Sequence, residues 1–549
     1  MTNKELSKMF QLLADIMEIY GENVYKIRSY SNAAFNLNRL SEPLTEIPMN
    51  KWKDIPGLGK AIIQKIESIM EKGELDLLNA YLLKTPSGIL DLIQIKGLGP
   101  KKIQKLWKEL GISSPVELLY ACKENKLSNI KGFGLKTQEK FQQAIELYLQ
   151  NKNKLHLHTA LQEAAFLMNK WNLAHPNYEI IPCGQLRRKS QTIDKLEFLA
   201  IHDDLNELIQ NLENSAYEKI KEGYYEKEIN DGPPVGIYIS STTEKGLNLL
   251  KSTGPQSFYK AVIKKSSARF KKESEINIFK KAGLPYIYPE CRENLKSLEA
   301  DSETMENLIS NEDFRGLIHC HSNYSDGVNK LKDMAEACIE MNYEYMLISD
   351  HSKTAFYANG LSEESILKQH EEIDRLNENF ENFIILKGIE SDILADGSLD
   401  YDDDFLKKFD GVIASVHSNM QLNEEKSTAR LIKAIEHPAT RILGHLTGRL
   451  LLSREGYPVN HKKIIEACAK NNVAIELNAN PYRLDIDWKW LDYMLENDVW
   501  LSVNPDAHSI EGIEDTIYGI WMARKGLWPR EKLLNALSVK DFKNFLKIN

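Results

Sequence analysis

Along residues 1–150, apolar positions recur at helical spacing and glycines punctuate the gaps. Leu12, Leu13, Ile16, Met17 and Ile19 fall on one face of a 3.6-residue repeat, as do Ile62, Ile63, Ile66 and Ile69. That pattern predicts short helices joined by glycine turns. Residues 151–300 are mixed, with strands predicted at 179–182, 196–201 and 235–240 among helices. The stretch 295–312, LKSLEADSETMENLISNE, is polar and acidic and reads as a linker with some helix. From Gly316 short apolar runs alternate with helical segments: GLIHCHS, YMLISDHS, FIILKGIESD, GVIASVHS, TRILGHLTG, VAIELNAN and WLSVNPDAHS. Seven strand candidates, most with connections long enough for a helix, predict parallel βα units closed or nearly closed into a barrel.

The glycines of the first region form a near-repeat: IPGLGK (55–60), IKGLGP (95–100) and IKGFGL (130–135). Glycine takes positive φ without steric cost, so each pair (Gly57 and Gly59, Gly97 and Gly99, Gly132 and Gly134) allows a tight hairpin between helices. The helix that follows presents N-terminal N–H groups, which suit a phosphate. Lys60, Lys101, Lys102 and Lys136 lie beside these turns for electrostatic help. Three such turns with the same preceding isoleucine point to helix-hairpin-helix units that hold the DNA backbone without reading its sequence.

Composition sharpens this division of labour. The net charge of −9 does not advertise a nucleic-acid binder, but it is uneven. Residues 1–150 sum to about +4 and residues 315–549 to about −11. An acidic region that holds several divalent cations is less negative in use. The six cysteines are scattered without paired spacing, which predicts a reducing, cytoplasmic setting and neither a disulfide scaffold nor a cysteine zinc site. No apolar run approaches a membrane span, and the N-terminal MTNKELSKMF has no secretory core.

The chemistry is concentrated in the barrel. His319 and His321, Asp326, His351, Glu390, His417, His445, Asp506 and His508 all lie at or just past the ends of strand candidates. In a parallel barrel those ends converge on one face. Nine metal-type ligands at one mouth can hold two or three divalent ions, with Glu390 suited to bridge two of them. Histidine mixed with carboxylate favours Zn²⁺ or Mn²⁺ over Mg²⁺. Clustered ions activate water and clamp phosphate oxygens, so the expected reaction is metal-assisted phosphoester hydrolysis, with His319, His321, Glu390 and Asp506 central to it. Glu476 and Asp350 are expected behind the ligands.

HCHSNYSDG, SDHS, GIESD, SVHS, GHLTGR and NPDAHS resemble the motifs of the polymerase and histidinol phosphatase (PHP) domain. The resemblance implies a distorted seven-stranded (β/α) barrel and assigns its ligands to the same nine positions. GENVYKIRSYSNAA (21–34) and AGLPYIYPECREN (282–294) are similar to the N-terminal helical domain and the thumb of bacterial family X DNA polymerases that carry a C-terminal PHP domain. The implied organisation is multidomain α/β. Residues 1–85 and 86–150 are DNA-binding helical domains with one and two hairpins. Residues 151–294 form an α+β nucleotidyltransferase palm and thumb, 295–312 the linker, and 313–549 the PHP hydrolase. Lys65 matches the Schiff-base position of lyase-competent relatives, although an exposed helix lysine is an equal reading.

The palm departs from that family. Gly184, Arg187 and Arg188 match its phosphate turn, and the arginines are candidates for DNA contact. The two metal-binding aspartates, however, fall on Lys195 and Glu197, and the third falls on Gly236. A lysine repels the Mg²⁺ pair that nucleotidyl transfer needs, and one glutamate cannot anchor it. The resemblance therefore implies a monomeric DNA-repair nuclease with weak or lost polymerase activity. Its action would be 3′→5′ exonuclease, abasic-site cleavage or 3′-end processing on gapped, single-stranded or 3′-ended DNA. A gap-filling polymerase with unorthodox carboxylates, a non-catalytic DNA scaffold and a small-molecule phosphatase remain as alternatives.

Overall fold

The computed structural model describes residues 1–40, 42–123, 127, 133–229, 232–266, 270 and 272–547. They fall into two compact units, Met1–Lys152 and Asn153–Asn549.

The first unit is helical: α1 (Asn3–Tyr20), α2 (Val24–Asn38), α3 (Lys60–Lys72), α4 (Asp76–Lys84), α5 (Ser87–Ile93), α6 (Pro100–Leu110), α7 (Pro115–Lys123) and α8 (Leu135–Asn151). A reciprocal cap between Thr2 and Glu5 starts α1, and Gly21 at φ +79° ends it. The stripe read from the sequence is the buried face: Leu13, Ile16, Met17 and Ile19 on α1, and Ile62, Ile66 and Ile69 on α3. Two apolar cores divide the unit. One joins α1, α2 and α3 through Leu6, Phe10, Leu37 and Ile66. The other gathers Ile19, Ile89, Ile103, Leu106 and Phe141.

The second unit contains two sheets and a short strand pair. β1 (Leu155–His156) pairs with β3 (Thr192–Ile193). The mixed sheet has the order β2 (Glu179–Pro182), β4 (Leu196–Ile201), β7 (Val235–Ser240), β6 (Tyr224–Lys227) and β5 (Glu218–Lys221). Its three longest predicted strands have the predicted bounds. β4 and β7 are its one parallel pair and set Glu197 opposite Gly236.

The barrel is a run of seven parallel strands in sequence order: β8 (Gly316–Cys320), β9 (Tyr345–Ile348), β10 (Ile384–Asp392), β11 (Gly411–Ser415), β12 (Thr440–Leu443), β13 (Ala474–Asn478) and β14 (Leu501–Asn504). The first and last nearly close it. Cys320 bridges Ala507, and the His321 amide donates to the Ala507 carbonyl at 2.8 Å. Nearly every barrel strand residue is buried, as both faces of such a sheet are covered.

The stretch 295–312, expected as a linker, is instead packed structure. It forms short helical turns and buries Met305, Leu308 and Ile309. The Ile309 amide donates to the Trp528 carbonyl at 3.3 Å, so the stretch binds the barrel's C-terminal region. Its apolar residues are too widely spaced among acids to signal burial in the sequence.

Candidate metal centre

The nine expected ligands meet at the C-terminal mouth of the barrel. β8 delivers His319 and His321, two residues apart. The backbone is irregular there, with a register shift between Ile318 and Cys320 and His319 at φ +66°. Asp506, just past β14, is also left-handed at φ +53°. Two non-glycine residues held in that costly region at one site mark backbone shaped by its task.

Glu390, fully buried on β10, lies at the centre. Its Oε1 has three imidazole nitrogens around it: His445 Nε2 at 3.1 Å, and His319 Nε2 and His417 Nε2 each at 3.3 Å. Its Oε2 lies 2.9 Å from His351 Nδ1 and 3.8 Å from His321 Nε2. A second focus is Asp326 Oδ1, with His508 Nε2 at 3.4 Å and His351 Nε2 at 3.6 Å. A third is Asp506 Oδ1, with His321 Nε2 at 3.0 Å and His319 Nε2 at 3.4 Å.

The donor set fits divalent cations on the geometry alone. Among the described residues, His319 Nε2, His321 Nδ1, His351 Nδ1, His445 Nδ1 and both Glu390 oxygens are buried without a hydrogen-bond partner. Buried polar atoms are rarely left so. Three clusters offer ligand atoms at metal-binding separations: His321, Asp326, His351 and His508; His319, His321 and Asp506; His351, Glu390 and His417. The acids and bases of the cluster titrate against one another: against burial, the neighbouring carboxylates raise His319 well above the usual range, His417 to about 10 and His508 to about 9. Burial pushes the Glu390 and Asp506 carboxyls up, but the surrounding histidines outweigh it and hold both well below the usual range. Burial, with His508 and His351 adding, pushes His321 down to about 3, which leaves a neutral ring able to ligate.

Behind the ligands stand carboxylates that fix the rings. His319 Nδ1–H donates to Glu476 Oε2 at 2.6 Å, and the His445 amide donates to Glu476 Oε1 at 3.0 Å. His417 Nδ1–H donates to Asp392. The two ring bonds, of His319 and His417, turn Nε2 toward the cluster. Glu476 is where the sequence suggested. Asp392 was missed, although GIESD sets it two residues beyond Glu390 and hence on the same side of the strand. Asp350 has a different partner set. It accepts from the Ser322 amide at 2.8 Å and from Gln369 Nε2 at 2.6 Å, and so shapes the loop before Asp326.

The hairpins of the first unit share one backbone design. Leu58 and Leu98, between the glycines, are buried, and their amides donate to Ile55 and Ile95, both at 3.1 Å. Gly57 and Gly97 have φ of +81° and +85°. Gly59, Gly99 and Gly134 cap α3, α6 and α8 without a side-chain hydrogen bond, and the space beside each is open. Lys60, Lys101 and Lys136 are exposed there. Gly132 lies outside the described residues. Lys65 is half-buried on α3.

The palm turn is used differently from the expectation. Arg187 makes a two-pronged pair with Glu275 at 2.9 and 2.7 Å and donates to Thr253 Oγ1 at 2.6 Å. Arg292, fully buried, donates to the same Glu275 at 2.7 Å. Arg188 donates to Glu293 at 3.1 Å, and the buried Lys525 of the barrel joins Glu293 at 2.8 Å and the Arg188 carbonyl at 2.7 Å. Arg187 and Arg188, expected at DNA, are thus engaged in internal ion pairs. At the palm positions expected to have lost their metal ligands, the side chains are engaged within the chain. Lys195 pairs with Glu226, which also accepts from the Tyr224 hydroxyl at 2.7 Å. A Cβ at Gly236 would lie 2.2 Å from that hydroxyl. Glu197, its carboxyl pushed up by burial, sits against Gly184 and accepts from Tyr238 at 3.3 Å.

Comparison with known proteins agrees with this architecture. The Helix-hairpin-helix domain family matches residues 1–75, and the SAM-like Helix-hairpin-helix tandem matches 89–144. The PHP domain family matches residues 318–480. A barrel of this kind behind helix-hairpin-helix modules defines the class. Over 572 residues the chain is 34% identical to the DNA polymerase/3'-5' exonuclease PolX of Bacillus subtilis (strain 168), covering 100% of both chains. The chain therefore belongs to the PolX family of family X DNA polymerase/3'-5' exonucleases. Part of it is also similar to probable phosphatases. One from Caldanaerobacter subterraneus subsp. tengcongensis is 33% identical over 109 residues, 19% of this chain and 41% of that one. One from Clostridium botulinum (strain Hall) is 33% identical over 97 residues, 17% and 37% of the respective chains.

Proposed function

We propose that this chain is a DNA-repair nuclease, a metal-dependent phosphodiesterase working 3′→5′, with its polymerase activity weak or lost. The observation that carries the reading is the set of buried, unpartnered nitrogen and oxygen atoms around Glu390. A buried site of this polarity costs stability unless ions complete it. His319, His321, Asp326, His351, Glu390, His417, His445, Asp506 and His508 would hold two or three ions, Zn²⁺ or Mn²⁺ in preference to Mg²⁺. Such ions activate water and stabilise the leaving oxygen of a phosphodiester. The chain's own part is to fix the geometry: Glu476 and Asp392 orient His319 and His417, and Glu390 joins the foci.

The substrate is DNA. Gly57, Gly59 and Lys60, Gly97, Gly99 and Lys101, and Gly134 and Lys136 present uncapped helix N-termini with exposed lysines, which suit the phosphate backbone. Gapped, single-stranded or 3′-ended DNA, abasic sites and blocked 3′ ends are the substrates of this reading, and Lys65 is its candidate for lyase chemistry. The chain acts as a monomer in the cytoplasm. The six cysteines are free and buried, which suits a reducing compartment. No described helix is long and apolar enough to cross a membrane.

The test is a nuclease assay on 3′-recessed and single-stranded DNA across Mn²⁺, Zn²⁺ and Mg²⁺, beside primer extension. Wild type should degrade DNA from the 3′ end, and the His319→Ala/His321→Ala double variant should not. Robust primer extension that survives the double variant would overturn the assignment.

A further inference from the structure

We propose that the mouth of the metal centre is a base clamp for an unpaired 3′ end, with Tyr357 on one side and Tyr482 on the other. The proposal rests on the hydrolase reading above and adds the two side chains that would hold the end.

Tyr357 sits on a short helical turn, Phe356–Ala358, of which only Ala358 is buried. Its side chain is 70% exposed, yet its ring centre is 6.2 Å from that of His351 and 6.4 Å from that of His417. Phe356 beside it is 85% exposed. What sets Tyr357 apart from an ordinary exposed aromatic is its place beside two rings of the buried polar cluster, where a ligand at the cluster could cover it.

Tyr482 is 46% exposed and precedes Arg483, whose Nε lies 3.8 Å from Asp506 Oδ2. An arginine beside a metal-ligand carboxylate can also reach a phosphate oxygen. The position of Tyr482 is fixed. Its amide donates to Asn480 at 3.0 Å, and its carbonyl accepts from the Leu451 amide at 2.7 Å. The rings of His156 and His158 meet its ring edgewise at 4.7 and 4.8 Å. His156 is held in turn by the Leu451 carbonyl at 2.9 Å and by β1, which pairs with β3 just after the palm turn. The palm thus braces one wall of the nuclease mouth.

Every base has a π-face, so stacking on tyrosine tolerates any sequence, as an exonuclease requires. Bases within a duplex are already stacked and paired. Only an unpaired end can offer a base to these rings without melting.

The experiment compares kcat/KM of the full chain with Mn²⁺ on a single-stranded oligonucleotide, a blunt duplex of the same sequence and bis(p-nitrophenyl) phosphate. Wild type should prefer the single strand to the blunt duplex. Tyr357→Ala and Tyr482→Ala should each lower the ratio of single-strand to small-ester kcat/KM about tenfold, mainly through KM. Tyr357→Phe and Tyr482→Phe should restore it, because the ring and not the hydroxyl stacks. His156→Ala/His158→Ala should move the ratio the same way by a smaller factor. An unchanged ratio in both alanine variants, or phenylalanine variants as impaired as the alanine ones, would overturn the clamp alone. Failure of wild type to cleave any of the three substrates would remove the hydrolase reading and the clamp with it.

Discussion

The second unit holds two groups of ionisable side chains, one in the palm and one at the barrel mouth, and they are satisfied in different ways. In the palm each basic side chain named above has a carboxylate partner, although Arg292 Nη2 is itself buried without a hydrogen bond: Lys195 has Glu226, Arg187 and Arg292 share Glu275, and Arg188 and Lys525 share Glu293. Around Glu390 in the barrel, six nitrogen and oxygen atoms of five described residues are buried without a hydrogen bond. Burial costs both clusters solvation. The palm offsets most of that cost internally. The barrel leaves the cost standing, which is the mark of a site completed by something outside the chain.

The comparison breaks most easily at Glu390. Glu390→Gln removes the negative charge that three imidazoles surround and should lower hydrolysis by about 10²–10³-fold. Glu476→Gln touches only the ring of His319 and the His445 amide, and should cost about 10–100-fold in metal affinity or activity. Metal titrations of the two variants read the ranking directly. If Glu476→Gln were the more damaging, the bridging role of Glu390 would be wrong.

A smaller effect is expected from acid on the palm side. Against burial, Arg187 and Arg292 hold the Glu275 carboxyl down at about 2, and Lys525 and Arg188 hold Glu293 there too. The unfolded value is 4.5, so the stabilisation is complete above about pH 5 and is lost as pH falls toward 2. Glu275→Gln should therefore cost about 3–5 kcal/mol at pH 7, because two arginines lose their partner. It should also flatten the fall of Tm between pH 5 and 3. A variant with the wild-type slope would show that other carboxyls carry the acid response.

The two clusters also differ in how far the sequence revealed them. All nine barrel positions were readable because parallel βα topology brings every strand end to one mouth, so position along the chain sufficed. Asp392 escaped because it sits one alternation beyond an already assigned ligand. The palm pairs were out of reach for a different reason. Glu275 lies 88 residues from Arg187, and Lys525 lies 337 from Arg188. Nothing local announces such partners, so Arg187 and Arg188 read as free phosphate binders. The clamp tyrosines carry no spacing signal, since single exposed aromatics are common in any chain.

The smallest effect is expected where restoring the family's residues would seem to promise the largest. Lys195→Asp with Glu197→Asp and Gly236→Asp rebuilds the three carboxylates on paper. In the fold, the side chain added at position 236 meets the Tyr224 hydroxyl, which occupies that space 2.2 Å from where the Cβ would lie. Removing Lys195 also strips Glu226 of its counter-charge and leaves it only the Tyr224 bond. The triple variant should therefore lose about 1–3 kcal/mol of stability and gain no templated incorporation with Mg²⁺ or Mn²⁺. Adding Tyr224→Ala, which opens the space, is the further change the geometry requires before a metal pair could fit. Primer extension by the triple variant alone would show that the tyrosine yields easily. The contrast between a plugged palm and an open barrel would then rest on the missing carboxylates and not on packing.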